Sequence, residues 1–241
     1  MKRVDSMLRV PLIALAAWCA LNVPVALAQK FDIGMDFLTG LPQNEFRDKT
    51  REVGYGVSGH IGYYIGDTPV MVGADIGYLK YGTEKRREPL SVTIPDIDVE
   101  VKTTNNILML HGFARLQPRR GPIRPYFEGL WGFKYLFTRT SITDDWNDEP
   151  IASSTNFDDL VGSRGLGAGM DIMLWNGNRP QSAHGAFDIS LNLSARYLWG
   201  SKADYLKKGS IILNNDGSLA YLAYRSKTDM LTPQFGLRVR F

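Results

Sequence analysis

Apolar residues fall on every second position along most of this chain, the period of an extended strand with two unlike faces. In "KFDIGMDFL", Phe31, Ile33, Met35 and Phe37 oppose Asp32, Gly34 and Asp36. In "YGVSGHIGYYI", Tyr55, Val57, Ile61, Tyr63 and Ile65 oppose Gly56, Ser58, His60 and Gly62. After the turn "GDTP", "VMVGADIGY" sets Val70, Val72, Ala74, Ile76 and Tyr78 against Gly73, Asp75 and Gly77. A fourth segment, "NNILMLHGFARL", is apolar on both sides near its middle. Its reading here puts Leu108, Leu110, Ala114 and Leu116 on one face, opposite Asn105, His111 and Arg115.

Four more segments follow the same rule. "YFEGLWGFKYLFT" places Phe127, Trp131, Phe133, Tyr135 and Phe137 against Tyr126, Glu128 and Lys134. "GLGAGMDIML" places Leu166, Ala168, Met170, Ile172 and Leu174 against Gly167, Gly169 and Asp171. "FDISLNLSARYLW" places Phe187, Ile189, Leu191, Leu193, Ala195, Tyr197 and Trp199 against Asp188, Ser190, Asn192, Ser194 and Arg196. The closing "PQFGLRVRF" places Phe235, Leu237, Val239 and Phe241 against Gln234, Gly236, Arg238 and Arg240.

The connections predicted after strands two, four and six are short and rich in turn residues ("GDTP", "QPRRGPIRP", "NGNRPQSA"); those after strands one, three, five and seven are long and polar. An even number of strands, with turns at one end and loops at the other, is the pattern of an eight-stranded antiparallel up-and-down transmembrane β-barrel with both termini in the periplasm. One wall carries almost all the charge and the other almost none, which is inside out for a soluble protein. A soluble barrel of the lipocalin kind shares the alternation. Three features favour the membrane: the terminal Phe241, the loop rhythm, and aromatic residues at the ends of the apolar face (Tyr55, Tyr63, Tyr78, Phe127, Phe137, Tyr197, Trp199). "SVTIPDIDVEVK" and "SIILNNDGSLAYLAY" also alternate, so hairpins are expected to project beyond the membrane. A ten-stranded version remains open if the second of them reaches it.

The N-terminus changes the account of charge. Lys2, Arg3 and Arg9 precede an apolar run from Val10 to about Ala20, and Ala26-Leu27-Ala28 stands before Gln29. This reads as a secretory signal peptide over residues 1–28, leaving a barrel domain over 29–241. Cys19 is the only cysteine, so the mature chain would have no disulfide, and Trp18 before it argues against a lipid anchor. Removing the segment takes the formal charge from +3 to +1, which argues against a nucleic-acid partner. No later segment has the roughly 18 apolar residues of a spanning helix.

The signal peptide, the alternating strands and the ending "FGLRVRF" resemble the small outer-membrane β-barrels of Gram-negative bacteria, of the OmpA, OmpX and opacity-protein type. The resemblance implies that Phe235, Leu237, Val239 and Phe241 are an assembly signal read by the barrel assembly machinery, with periplasmic chaperones as earlier partners. It spans adhesins, structural anchors, pores and lipid-modifying enzymes, so it leaves function open.

The inward face is expected to hold a network of Asp32, Asp36, His60, Asp75, His111, Arg115, Glu128, Lys134, Asp171, Asp188, Arg196, Arg238 and Arg240. Its charges nearly balance, which favours a plugged, salt-bridged lumen over a channel. If "GDTP" closes a hairpin with Ile65 opposite Val70, His60 faces Asp75 with Ser58 one inward step away. That is either a hydrogen-bonded lumen pair or the base and orienting acid of a lipid hydrolase. Asp171 and Asp188 are expected across from one another, and His184 in a periplasmic turn. The loops carry clustered charge: Asp144, Asp145, Asp148, Glu149, Asp158 and Asp159 in one, Lys85, Arg86 and Arg87 in another, Lys202, Lys207 and Lys208 in a third. The acidic loop lacks the spacing of a calcium-binding loop, and neither metal nor cofactor is expected. Basic loop residues suit lipopolysaccharide phosphates, and projecting edges suit an extracellular ligand. The reading is a monomeric barrel acting through its loops in surface interaction, adhesion or envelope integrity. A lipid-modifying hydrolase or a small-solute pore is the alternative.

Overall fold

A computed structural model describes residues 30–91, 94–143, 150–177, 187–207, 210–213 and 219–241. The expected signal segment 1–28, the Asn-Asp-Gly turn, His184, Lys208 and the acids Asp144, Asp145, Asp148 and Glu149 lie outside the described residues. In chain order the elements are β1 (Phe31–Pro42), α1 (Asn44–Thr50), β2 (Gly54–Tyr64), β3 (Val70–Ser91), β4 (Ile94–Leu116), β5 (Ile123–Thr143), β6 (Pro150–Asn176), β7 (Asp188–Gly200), β8 (Lys202–Tyr205), β9 (Ile211–Leu213), β10 (Leu219–Tyr221), β11 (Tyr224–Lys227) and β12 (Met230–Arg240). Eight of these close an antiparallel barrel in the order β1-β12-β7-β6-β5-β4-β3-β2. The hairpins β9–β10 and β8–β11 are separate two-stranded sheets, which excludes the ten-stranded arrangement.

The alternation decides the two faces. In β1, Ile33, Met35 and Phe37 are exposed while Asp32, Gly34 and Asp36 are buried, and the same parity holds along the other barrel strands. Strand β4 adopts the register with Leu108, Leu110 and Leu116 outward. An exterior of Phe, Leu, Ile, Val and Trp is stable only where the surroundings are hydrocarbon, and the closed sheet satisfies every strand edge there.

Following the hydrogen-bonded row from Trp199 through Arg164, Trp131, Gly112, Ala74, Ile61, Ile33 and Val239 returns to β7 at Ile189, a stagger from position 199 to 189. That shear tilts the strands and gathers the aromatic residues into two belts. Toward the termini, Phe31 meets Tyr63, Trp175 meets Phe187, and Phe187 meets Phe241, with ring centroids 5.2, 4.8 and 6.2 Å apart. At the opposite end Phe37 meets Tyr55 and Tyr197 meets Trp199, at 6.5 and 5.0 Å. The belts mark the two interfaces of a bilayer.

Three features depart from the sequence reading. First, "YGTEKRREPL" and the segment from Pro150 to Asp159 are strand and not loop, within β3 and β6. Ladder pairing rewards those residues even beyond the membrane. Strands β3 to β6 therefore run past the outer belt as a four-stranded sheet. Second, residues 44–50 form a helix, with Glu45 in its first turn and Arg47 and Lys49 in its last, each sign matched to the helix dipole. Third, the β8–β11 hairpin and α1 pack over the extracellular end of the barrel.

Candidate functional site

The inner wall separates into two zones. The half nearer the termini holds a chain of buried ion pairs. Arg115 donates to Glu128 Oε2 from Nε and Nη2 at 3.0 and 2.8 Å. Arg196 donates to the other oxygen of Glu128 at 2.7 Å and reaches Asp75 at 3.0 Å. Below it, Asp32 lies 2.8 Å from His60 Nε2 and 3.4 Å from Arg240. Asp171 takes Gln117 at 2.5 Å and Arg238 at 3.2 Å. Asp36 accepts from Asn192 at 2.6 Å. Guanidinium planes lie on aromatic rings, Arg115 at 4.3 Å and Arg238 at 4.8 Å from the centre of Tyr126. Charges such as Glu128, Asp32 and Asp171 are tolerable out of water because each meets opposite charge and hydrogen bonds at once.

Several members of this network are not among the residues singled out from the sequence. Arg124, assigned to a turn, stands in β5 and grips Asp188 at 2.8 and 3.1 Å as well as Ser190. Its signal was parity, since it shares the face of Tyr126 and Glu128. Gln117 and Tyr64, joined at 3.1 Å, close the bottom of the network.

Some expected pairings are rearranged. His60 and Asp75 are register partners across β2 and β3, but they do not bond: His60 turns to Asp32 on β1 and Asp75 is taken by Arg196. Ser58 Oγ is buried without a hydrogen-bond partner, so the base, acid and hydroxyl proposed for a hydrolase are not assembled. Asp171 and Asp188 do not face one another; Asp171 opposes Asn192, and Asp188 opposes Asn176 and Arg240. His111 bonds Ser163 Oγ at 3.0 Å, both inside the wall. Lys134 is fully buried and donates to the Thr228 carbonyl at 2.7 Å, standing apart from the ion pairs.

The other zone, toward the extracellular end, is apolar where a polar lumen was expected. Leu38, Leu79, Ile107, Met109, Leu136, Val161, Leu198 and Met230 point inward and pack with Phe46 of α1 and with Ala203 and Tyr205 of β8. Phe46 meets Tyr81 at 5.8 Å and Tyr205 at 5.2 Å between ring centres. The double apolar face of β4 was the visible trace of this core, which also needs partners from outside the wall. Polar fastenings hold the cover down: Asp229 accepts from Asn44 at 2.9 Å and from the Gly200 amide at 3.1 Å, and the Tyr205 hydroxyl lies 2.8 Å from Ser226. Burial raises the Tyr205 phenol above its ordinary range, so it stays protonated.

Beyond the membrane, the projecting sheet offers an open border. Pairing of β2 with β3 ends at Lys80, so from Thr83 to Ser91 the strand pairing of β3 among the described residues is with β4. The opposite border, β6, is partly covered: Gly162 takes the Ser201 amide at 2.9 Å, and Asp159 takes the Asp204 amide at 2.8 Å.

No protein-family model and no curated protein matches the chain. Similar solved structures include neisserial surface protein A, 15% identical, covering 88% of this chain and 97% of that one with a TM-score of 0.39. Another is Ail, the attachment invasion locus protein of Yersinia pestis, solved with the heparin analogue sucrose octasulfate. It is 12% identical, with 88% and 97% covered and a TM-score of 0.31. The translocator domain of the autotransporter NalP from Neisseria meningitidis is 11% identical, with 98% and 95% covered and a TM-score of 0.27. Its own closed wall of eight strands, lipid-facing exterior and charged interior give this chain the fold of a small outer-membrane β-barrel.

Proposed function

We propose that the protein works at the cell surface as a binding barrel, exported by way of its N-terminal segment 1–28 and presenting the projecting β3–β6 sheet to an extracellular partner. The observation that supports this is the border of β3 from Thr83 to Ser91, where strand pairing among the described residues is with β4 and runs beyond the end of β2. An unpaired strand edge carries a row of amide and carbonyl groups that an extended segment of another protein can complete. Membrane barrels of this size need no such extension to be stable, so its cost in ordered residues points to use outside the membrane.

The test is to trim the sheet without touching the barrel. Residues 85–102 are replaced by an Asn-Gly turn joining Glu84 to Thr103, which are register partners. Cells displaying the trimmed barrel at unchanged levels should lose attachment to host-cell and matrix-protein surfaces to which the intact protein confers it. Equal attachment by both forms would remove the edge from the account.

A further inference from the structure

The cover helix α1 and the chain on either side of it enclose a hollow beside the extracellular mouth. Its volume is about 770 Å³, and its lining runs from Leu41 at the end of β1 to Val53 just before β2. From Phe37 in the outer aromatic belt to Leu41 the strand covers roughly 13 Å, so the hollow opens beyond the belt. Leu41 and the exposed Val53 make part of the lining apolar. Two guanidinium groups, Arg47 and Arg51, share it with one carboxylate, Asp48. All three residues are exposed, and their side chains have neither an ion pair nor a hydrogen bond with the described residues.

The frame of the hollow is held from both ends of the helix. Asn44 donates from its side-chain amide to the Tyr197 hydroxyl at 3.0 Å and to Asp229 at 2.9 Å, and the Arg51 amide closes α1 on Arg47. Asn44 and Arg51 are the non-glycine residues with left-handed backbone among those described, at φ 50° and 52°. Asparagine takes that conformation readily, but at the end of a helix glycine is the usual choice and arginine costs stability. An arginine kept there against its backbone preference, with its side chain on a hollow, marks that side chain as used. Guanidinium groups take a carboxylate through paired hydrogen bonds. Asp48 repels a bare polyanion and accepts a peptide N–H, and the apolar part suits an aliphatic side chain. No described lining residue is aromatic, so a sugar ring finds no platform.

We propose that this hollow binds an acidic residue of an extended protein segment, Arg47 and Arg51 holding its carboxylate and Asp48 a neighbouring backbone amide. The hollow lies at the foot of the β3 border: a Cβ placed on Gly82 would stand 3.9 Å from Glu52 Cγ, and the border begins at Thr83. A segment pairing antiparallel with that border prolongs the line of β2 and brings its C-terminal end down to Arg51. The acidic residue therefore belongs at the C-terminal end of the segment. That the carboxylate arrives on a protein strand rests on the border reading above; the carboxylate site itself does not.

The experiment uses the full mature protein in detergent micelles, with the Nε–H signals of Arg47 and Arg51 followed by NMR as peptide is added. The probes are a capped pentapeptide that alternates threonine and valine and ends in glutamate, and the same peptide ending in glutamine. The glutamate peptide should bind at least about tenfold more tightly, the size of one hydrogen bond between charged groups, and should move both signals. Arg47→Gln/Arg51→Gly should lose that preference. Arg51→Gly alone should leave hydrogen exchange in α1 as slow or slower, because glycine takes that backbone freely, and yet weaken the glutamate peptide; a merely structural arginine would do neither. Lys49→Gln, exposed on the same helix but outside the lining, should keep the preference. The barrel trimmed of residues 85–102 should keep it too, since the hollow is intact there, so failure of the border reading leaves this result untouched. Equal binding of the two peptides, loss of preference in the trimmed barrel, or undiminished preference in the double variant would overturn the site. Displacement by inositol hexakisphosphate at equal concentration would also overturn it, because the hollow would then read any polyanion and not an acidic peptide.

Discussion

Glu128 concentrates the logic of the lumen in one side chain. It is 3% exposed and holds two guanidinium groups, one on each oxygen, so its carboxylate cancels part of the charge of both β4 and β7. Removing it leaves Arg115 without its carboxylate and Arg196 with Asp75 alone. Glu128→Ala should therefore cost about 3–5 kcal/mol, the range for breaking a buried pair by deleting one partner, measured by urea unfolding in lipid vesicles. Phe241 carries two roles that can be separated. Its amide and carbonyl close the barrel seam on Phe31 at 2.9 and 3.3 Å, and its ring joins the periplasmic belt. Phe31→Ala removes a belt ring from the same seam. If Phe241 is also an assembly address, Phe241→Ala should slow insertion by the assembly machinery several-fold more than Phe31→Ala, while both refold alike in vesicles. Equal slowing would leave Phe241 a belt residue alone.

Among the elements, α1 is the one the sequence concealed. Seven residues are too few to show helical periodicity, and "NEFRDKT" reads as polar loop. What fixes the helix is tertiary: Phe46 finds the apolar upper lumen, and Arg51 accepts a left-handed backbone, φ 52°, whose amide closes the helix on the Arg47 carbonyl at 3.1 Å. Phe46→Ala should then destabilise the cover by about 3–5 kcal/mol, as for other large-to-small changes in a packed core. Hydrogen exchange should report it as faster exchange in α1 and β8, with the barrel strands unchanged. The projecting strands teach the complementary lesson. Their alternation was legible in "SVTIPDIDVEVK", but the length of β6 was not. The stretch from Pro150 to Asp159 is Ser-, Asn- and Asp-rich and becomes strand because β5 is there to pair with it.

For the whole molecule, the stacked zones, ion pairs below and apolar packing above, imply a barrel that does not conduct at rest. The wild-type protein should be silent in a planar bilayer, and Phe46→Ala should produce brief openings; steady conductance by the intact protein would contradict the plug. The sequence by itself determined the strands' faces, their even number and the side that meets lipid, because period two and charge segregation are local properties that no neighbour can reverse once one face must be dry. Parity along those strands also put Asp32, His60, Asp75 and Glu128 on one face, while Arg124, Gln117 and the inward leucines of the upper zone stood outside that reading. Only the tertiary structure decided their partners, because closing a sheet with this shear brings each inward residue against strands far away in sequence. Thus His60 bonds Asp32 rather than its register partner Asp75, and Arg124 joins the network from a stretch that reads as turn. The apolar cover was likewise settled in three dimensions: a lone phenylalanine in a polar segment becomes core only where a ring of inward leucines and methionines waits for it.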